Sequence, residues 1–301
     1  MFAKNVSTGY RVFSLVNILF MLIVCVVVLY PYLNVMAIAF NDNTQTISTG
    51  LMLWPQVPTL SNFQVLLADN AMWRAAFNTI ARIVLGVSLT LFVNFTASYT
   101  LSKTYLPGRK GFIILLLIPT FISAGLIPTF ILYMHLGLLN SFWVYVLPTG
   151  FWFFGFILLR TYLYTIPDSL EESAKLDGAN DFYIMWRIFL PLCKPILATL
   201  VLFGVINHWN DWVTTLYFIT NLRVNSTLAF ELRRVLQEQD RMARLIQEAI
   251  IQGVLPIMPQ GGTSEGIRNA QIIVTTLPII MFYPFLQKYF IQGMLVGSVK
   301  E

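Results

Sequence analysis

Six stretches of the chain are almost continuously apolar over about 20 residues or more, the length that carries a helix across a hydrocarbon core. They cover 12–38, 75–101, 111–134, 142–163, 194–219 and 270–290. Lipid offers the backbone no hydrogen-bond partners, so each stretch predicts a helix rather than an open strand. The polar positions collect between them, in an outer connection at 41–73, a charged interruption at 164–193 and a long loop at 220–269. The expectation is an all-α membrane protein of six transmembrane helices, forming one domain over 1–301.

An even number of spans puts both termini on one side, and the Lys and Arg residues of the short loops choose it. Lys4 and Arg11 precede the first span, and Lys103, Arg109 and Lys110 join the second to the third. Arg160, Lys175, Arg187 and Lys194 surround 164–193, and Lys288 and Lys300 follow the last span. All of these belong on the cytoplasmic side, which places both termini there. The first apolar run is longer than the roughly 7–15 residues of a signal-peptide core. Ala37-Ile38-Ala39 fits a small-residue cleavage pattern, but the length favours retention as a span.

Composition narrows the classes further. Apolar residues make up 57% and charged residues 11%, against about a quarter charged in soluble domains, and the mean hydropathy is +0.70. The net charge of +5 is scattered through short loops and forms no stripe, which argues against nucleic acid and for positive-inside topology. Cys25 and Cys193 are far apart, with no Cys or His at ligand spacing, so neither a disulfide nor a metal is expected. The chain has no G-x-x-x-x-G-K-[ST] run, and His135 and His208 have no nearby nucleophile. It is expected to be non-catalytic.

Polar residues inside the spans are the candidates for a pathway. Asn78, Thr79 and Arg82 form a patch near the outer end of the second span, with Arg82 either snorkelling or lining a path. Pro119, Gly125 and Pro128, then Pro148 and Gly150, predict broken or kinked helices, for packing or for a cavity. In the fifth span Asn207, His208, Asn210 and Asp211 cluster beside Trp209 and Trp212. Asn207, Asp211 and Thr214 recur at i, i+4 and i+7, on one helical face. A polar stripe beside aromatics suits a sugar, whose hydroxyls need partners and whose ring face stacks; the same cluster also suits an interfacial Trp belt. The expected pathway residues are Asn78, Arg82, Asn207, Asn210, Asp211 and Thr214. Beyond them, charged and apolar residues interleave over Leu228–Ile251 and predict a surface helix, covering the outer ends of the spans or contacting an external partner.

The stretch 171–195, EESAKLDGANDFYIMWRIFLPLCKP, is the most structured of the loops. Ser169 and Glu172 have capping-box spacing, Lys175 lies at i+4 from Glu171, and Gly178 falls where a left-handed residue ends a helix. A second helix opens at Asn180 or Asp181 and runs to Leu190, where Pro191 interrupts it. Two short helices meeting at about a right angle around a glycine predict a compact cytoplasmic knob.

Those residues carry a resemblance. Glu172-Ser173-Ala174, then Gly178, then nine residues to Ile188-Phe189-Leu190-Pro191 resembles the EAA loop of bacterial ABC importer permeases, with Ser173 for the usual alanine. Asp177-Gly178-Ala179, Trp209-Asn210-Asp211 and the stretches 126–148 and 283–298 resemble the carbohydrate importers, in the subfamily handling complex oligosaccharides and polysaccharide fragments. The resemblance implies a type I importer fold and a coupling helix docked in a cytoplasmic ATPase through Ser169, Glu171, Glu172, Ser173, Ala174, Asp177, Gly178, Ala179, Ile188, Leu190 and Pro191. Glu172 would pair with a basic residue there, and the tail at 293–301 would reach toward the same partner. It further implies a second permease, two ATPase copies with their ATP and Mg, an extracytoplasmic solute-binding protein and a location in the bacterial inner membrane. Two other classes stay open: a self-sufficient secondary transporter or channel using Asp211, Arg82 and His208 as an ion relay, and a membrane scaffold whose loop binds a cytoplasmic partner.

Overall fold

The computed structural model describes residues 8–42, 52–122, 124–251 and 263–298. Among them the fold is helical, with a single antiparallel bridge between Asn41 and Pro58. The chain divides into two compact units, Met1–Asp69 with Val235–Thr276 and Asn70–Arg234 with Leu277–Glu301.

The first unit begins with α1, Thr8–Ala39. Its apolar side chains are exposed from Tyr10 to Leu29, which is how a helix looks when lipid is its solvent. Ala37, Ile38 and Ala39 are buried instead. Buried Asn62, on the short helix α2 (Ser61–Ala68), donates to the carbonyls of Ala39 at 2.9 Å and Asn41 at 3.0 Å. One amide thereby satisfies backbone groups that the end of α1 would otherwise leave unpaired. Gly266 stands so close to Asn62 that a Cβ there would lie 2.5 Å from its amide.

The second unit is organised around α3, Asn70–Ser102. Ala75, Thr79, Arg82 and Gly86, and after two further turns Asn94 and Ser98, recur at helical spacing along its buried face. Chain order continues with α4 (Arg109–Phe121), α5 (Leu126–His135), two 3-10 turns, Phe142–Tyr145 and Leu147–Thr149, and α6 (Phe153–Leu163). The third apolar stretch is thus two helices, parted before Gly125, whose φ of 80° belongs to the left-handed side. The fourth breaks after Pro148 and Gly150, turning 42°. This break is bridged by α3: Thr90 donates to the Thr149 carbonyl at 2.6 Å, and Asn94 both donates to the Trp152 carbonyl at 3.0 Å and accepts from its N–H at 3.2 Å. Each such group left unpaired would cost about 1–3 kcal/mol.

After α7 (Asp168–Leu176), a helical segment α8 (Asp181–Leu192) leads into α9 (Lys194–Asn210) across a bend of 76°. Residues Ile184–Phe189 of α8 are wound as a π-helix. Pro191 and Pro195 supply no N–H to the helical ladder, and the wider winding precedes the first of them. The expected fifth helix does not run unbroken to 219. It stops at Asp211, whose backbone is extended, and resumes as α10, Val213–Phe218. A short α11 (Leu222–Asn225) and the long α12 (Leu228–Ile251) follow, and α13 covers Thr263–Ser298 with Pro278 and Pro284 inside. The tail expected at 293–301 is helical as far as Ser298, and 299–301 lie outside the described residues.

Helices α3, α6 and α9 form the centre of the second unit, and glycines set their approach. A Cβ on Gly86 would lie 2.5 Å from His208 of α9, and one on Gly204 of α9 would lie 2.9 Å from Val87.

Candidate functional site

Two places in the second unit gather the polar residues. The first is a cavity of about 390 Å³ lined by Arg82, Thr90, Thr149, Phe151, Trp152, Gly204, Asn207, His208 and Asp211. A volume of this order holds a small ligand or part of a larger one. Arg82 reaches it from α3 and is almost wholly buried. Its Nη1 donates to the Asp211 carbonyl at 3.0 Å, its Nη2 meets the Asp211 carboxylate at 2.5 Å, and its guanidinium lies 4.4 Å above the Tyr145 ring. Arg82 does not snorkel outward; the extended backbone at Asp211 turns both acceptors toward it.

The expected pathway residues separate on inspection. Arg82, Asn207 and Asp211 converge on the cavity. Asn78 does not line it; its amide donates to the carbonyls of Val224 at 2.7 Å and Ser226 at 3.0 Å, holding the connection that leads into α12. Asn210 is exposed and is not among the lining residues. Thr214 does not share a continuous face with Asn207, because the helix ends between them; its N–H donates to the Asp211 carboxylate at 3.1 Å and starts α10. Thr90 went unnoticed in the sequence, although with Arg82 and Gly86 it forms an i, i+4, i+8 series on one face of α3. Thr149 and Trp152 gave no signal beyond their closeness to Gly150.

The second place is the α7 knob. Helix α7 starts directly after Pro167, with its first-turn Asp168 and Glu171 complementing the helix dipole. No side chain caps it, so the capping box expected from Ser169 does not form. Pro167 disfavours helical backbone before it, and the helix starts at Asp168, two residues earlier than a Ser169 cap requires. At the other end Gly178 has φ 83°, Gly178 N–H donates to Lys175 at 3.0 Å and Ala179 N–H to Ala174 at 2.9 Å. This is a Schellman ending. Asn180 then caps the next segment by accepting from Tyr183 N–H at 2.8 Å.

The faces of α7 differ. Ala174 is buried with Leu163, Ile184 and Phe189 in an apolar core that ties the knob to α3, α6 and α9. Glu172, Ser173 and Asp177 are exposed, and Leu176 and Phe182 expose 90% and 70% of their surface. Asp177, Gly178, Ala179 and Ile188 line a shallow groove with Ala174, Asn180 and Tyr183.

Glu171 points inward. Its carboxylate accepts from Lys103, which follows the end of α3, and from Lys175 at 2.8 Å; Lys175 also reaches Asp181 at 3.3 Å. Burial pushes the Glu171 carboxyl upward, but the two ammonium groups outweigh it and hold it below the usual range. Hydrogen bonding to Glu171 in turn raises Lys175.

Broken apolar helices around a cavity lined by Arg82, Asn207 and Asp211 beside two aromatic rings, with a glycine-terminated helical knob carried between two of them, define a membrane transport subunit. The family described as binding-protein-dependent transport system inner membrane component matches residues 86–296, and the chain belongs to it. It is 34% identical to Protein LplC of Bacillus subtilis, over 98% of this chain and 97% of that one. It is 31% identical to the polygalacturonan/rhamnogalacturonan transport system permease protein YtcP of the same organism, over 96% and 99%. A solved bacterial ABC transporter involved in the import of the acidic polysaccharide alginate contains a chain that superposes with a TM-score of 0.82, at 27% identity over 96% of this chain and all of that one. The fold is that of a type I ABC importer permease.

Proposed function

We propose that this chain and a second permease together form an alternating-access pathway for an oligosaccharide or polysaccharide fragment crossing the bacterial inner membrane, with both termini of this chain in the cytoplasm. An extracytoplasmic solute-binding protein delivers the substrate. Two copies of a cytoplasmic ATPase hydrolyse ATP with Mg, and this chain holds no cofactor. Closure of the ATPases draws α7 toward its counterpart on the partner permease and rocks the bundles outward.

The observation that carries this reading is the α7 knob. A short helix that starts after Pro167 and ends at a left-handed glycine is fastened to the three central helices through Ala174, while Glu172, Ser173, Leu176 and Phe182 are left facing outward. An exposed apolar patch beside an exposed carboxylate fits a protein partner with an apolar cleft and a basic residue. The sugar reading rests on the cavity, where the Asn207 amide and the Trp152 and Phe151 rings offer hydrogen bonding and stacking together, and on the oligosaccharide permeases among the relatives.

The test is reconstitution of the complex encoded with this chain into proteoliposomes. Uptake of oligogalacturonides and of neutral oligosaccharides should require ATP, the ATPase and the binding protein. Uptake driven by an ion gradient without the ATPase would overturn the proposal in favour of an Arg82–Asp211–His208 relay.

A further inference from the structure

We propose that Lys103 and Glu171 form a latch that fixes the rotation of α7 against the transmembrane bundle, making Lys103 a positioning residue for coupling and removing Glu171 from the partner-facing surface. The proposal rests on the reading of α7 as the ATPase-docking helix.

The two adjacent acids of α7 have different surroundings. Glu172 is exposed. Glu171 has both carboxylate oxygens engaged inside the chain, by Lys103 and by Lys175. Lys103 is itself enclosed, with 10% of its side chain exposed, and its ammonium lies 4.0 Å from the Tyr99 ring and 4.7 Å from the Phe189 ring. One cation therefore touches the end of α3, the middle of α7 and the π-helical part of α8. Lys175 extends the alternation of charge from Glu171 to Asp181 at the start of α8. The last carbonyls of α3 are served by others: Arg160 donates to Leu101 at 3.1 Å and Arg109 to Ser102 at 3.2 Å. Lys103 is left to Glu171.

The apolar contacts of Ala174 choose the inward face of α7, but a single small buried side chain holds its exact rotation loosely, because the hydrophobic driving force is non-directional. A buried ion pair is weak evidence for stability, and fixing a register is its best-attested use. With Glu171 held inward, Glu172 and Leu176 stand outward. A force on α7 then passes through Lys103 into α3, the helix that carries Arg82 and Thr90 to the cavity.

The test uses the whole reconstituted complex in a Cys25→Ser, Cys193→Ala background, with Asn207→Cys reporting cavity access to a membrane-impermeant maleimide. Trapping the ATPases with vanadate should change its labelling rate. In Lys103→Met and in Glu171→Gln the ATPase should still co-purify and hydrolyse ATP, while the vanadate-dependent change falls by roughly three- to tenfold; Lys103→Arg should restore it. An undiminished change in both variants would overturn the latch. Loss of the ATPase from Lys103→Met, unrestored in Lys103→Arg, would overturn it too, because Lys103 would then build the docking surface itself. Glu172→Gln separates the underlying reading: it should release the ATPase, and ATPase retained there with coupling still lost in Lys103→Met would remove docking from Glu172 while leaving the latch in place.

Discussion

Arg82 and Asp211, 129 positions apart, are joined twice: one guanidinium nitrogen binds the Asp211 carbonyl and another its carboxylate. The pair ties α3 to the point where α9 ends. Of the two side chains Arg82 is the more buried, at 1% exposed against 24%. Removing one partner of such a pair costs about 3–5 kcal/mol, because the other charge is left uncompensated. Asp211→Asn should therefore destabilise more than Arg82→Met. The double variant should lose less than the sum of the two, by about 1–3 kcal/mol. Thermal unfolding of the purified complex in detergent measures all three.

Helices α3 and α9 meet at Gly86 and His208. An alanine at Gly86 would put its Cβ 2.5 Å from the imidazole, a separation no real contact sustains. Gly86→Ala should cost about 1–3 kcal/mol through overpacking, and His208→Ala in the same chain should recover most of the loss. Persistence of the full defect in the double variant would place the strain elsewhere.

Gly178 is a different kind of glycine. No atom lies within 4 Å of where its Cβ would stand, and its φ is 83°. Substitution there meets only the left-handed backbone penalty, about 1–2 kcal/mol. Gly178→Asn should be milder than Gly178→Val, since asparagine tolerates this region. The effect should register as weaker ATPase co-purification with insertion unchanged.

The Glu171 carboxyl sits below its usual range. A lowered folded-state value gives stability that is complete above the ordinary glutamate range and is lost as pH falls through the lowered value. Hydrogen exchange of the α7 amides, corrected for intrinsic rate, should stay slow at a pH where a free glutamate is half protonated. In Lys103→Met the onset of exchange should move to higher pH.

Legibility in the sequence followed the distance over which each feature is decided. The left-handed Gly178, the Glu171–Lys175 pair, the break near Pro148 and Gly150 and the helix Leu228–Ile251 depend on neighbours within a turn or two, and the chain announces them. The cap expected at Ser169 failed for an equally local reason, since Pro167 set the helix start. Arg82 and Asp211 were both visible as polar residues in apolar stretches. Their pairing was not, because nothing in either neighbourhood encodes a partner across the fold. Lys103 looked like one more positive charge in a short loop; only folding brings Glu171, 68 positions on, beside it. The bonds of Asn78 were hidden for the same reason, its carbonyl partners lying in the loop before α12.

The break at 150–152 owes its hydrogen bonds to Thr90 and Asn94 of α3. Inside a bilayer an isolated, broken 142–163 segment would therefore carry open backbone groups with no solvent to receive them. Helix α3 leaves the ribosome first, so its donors and acceptors are available when that segment enters the membrane. The order of segments along the chain thus doubles as an order of insertion, and transposing the two would strand the later one.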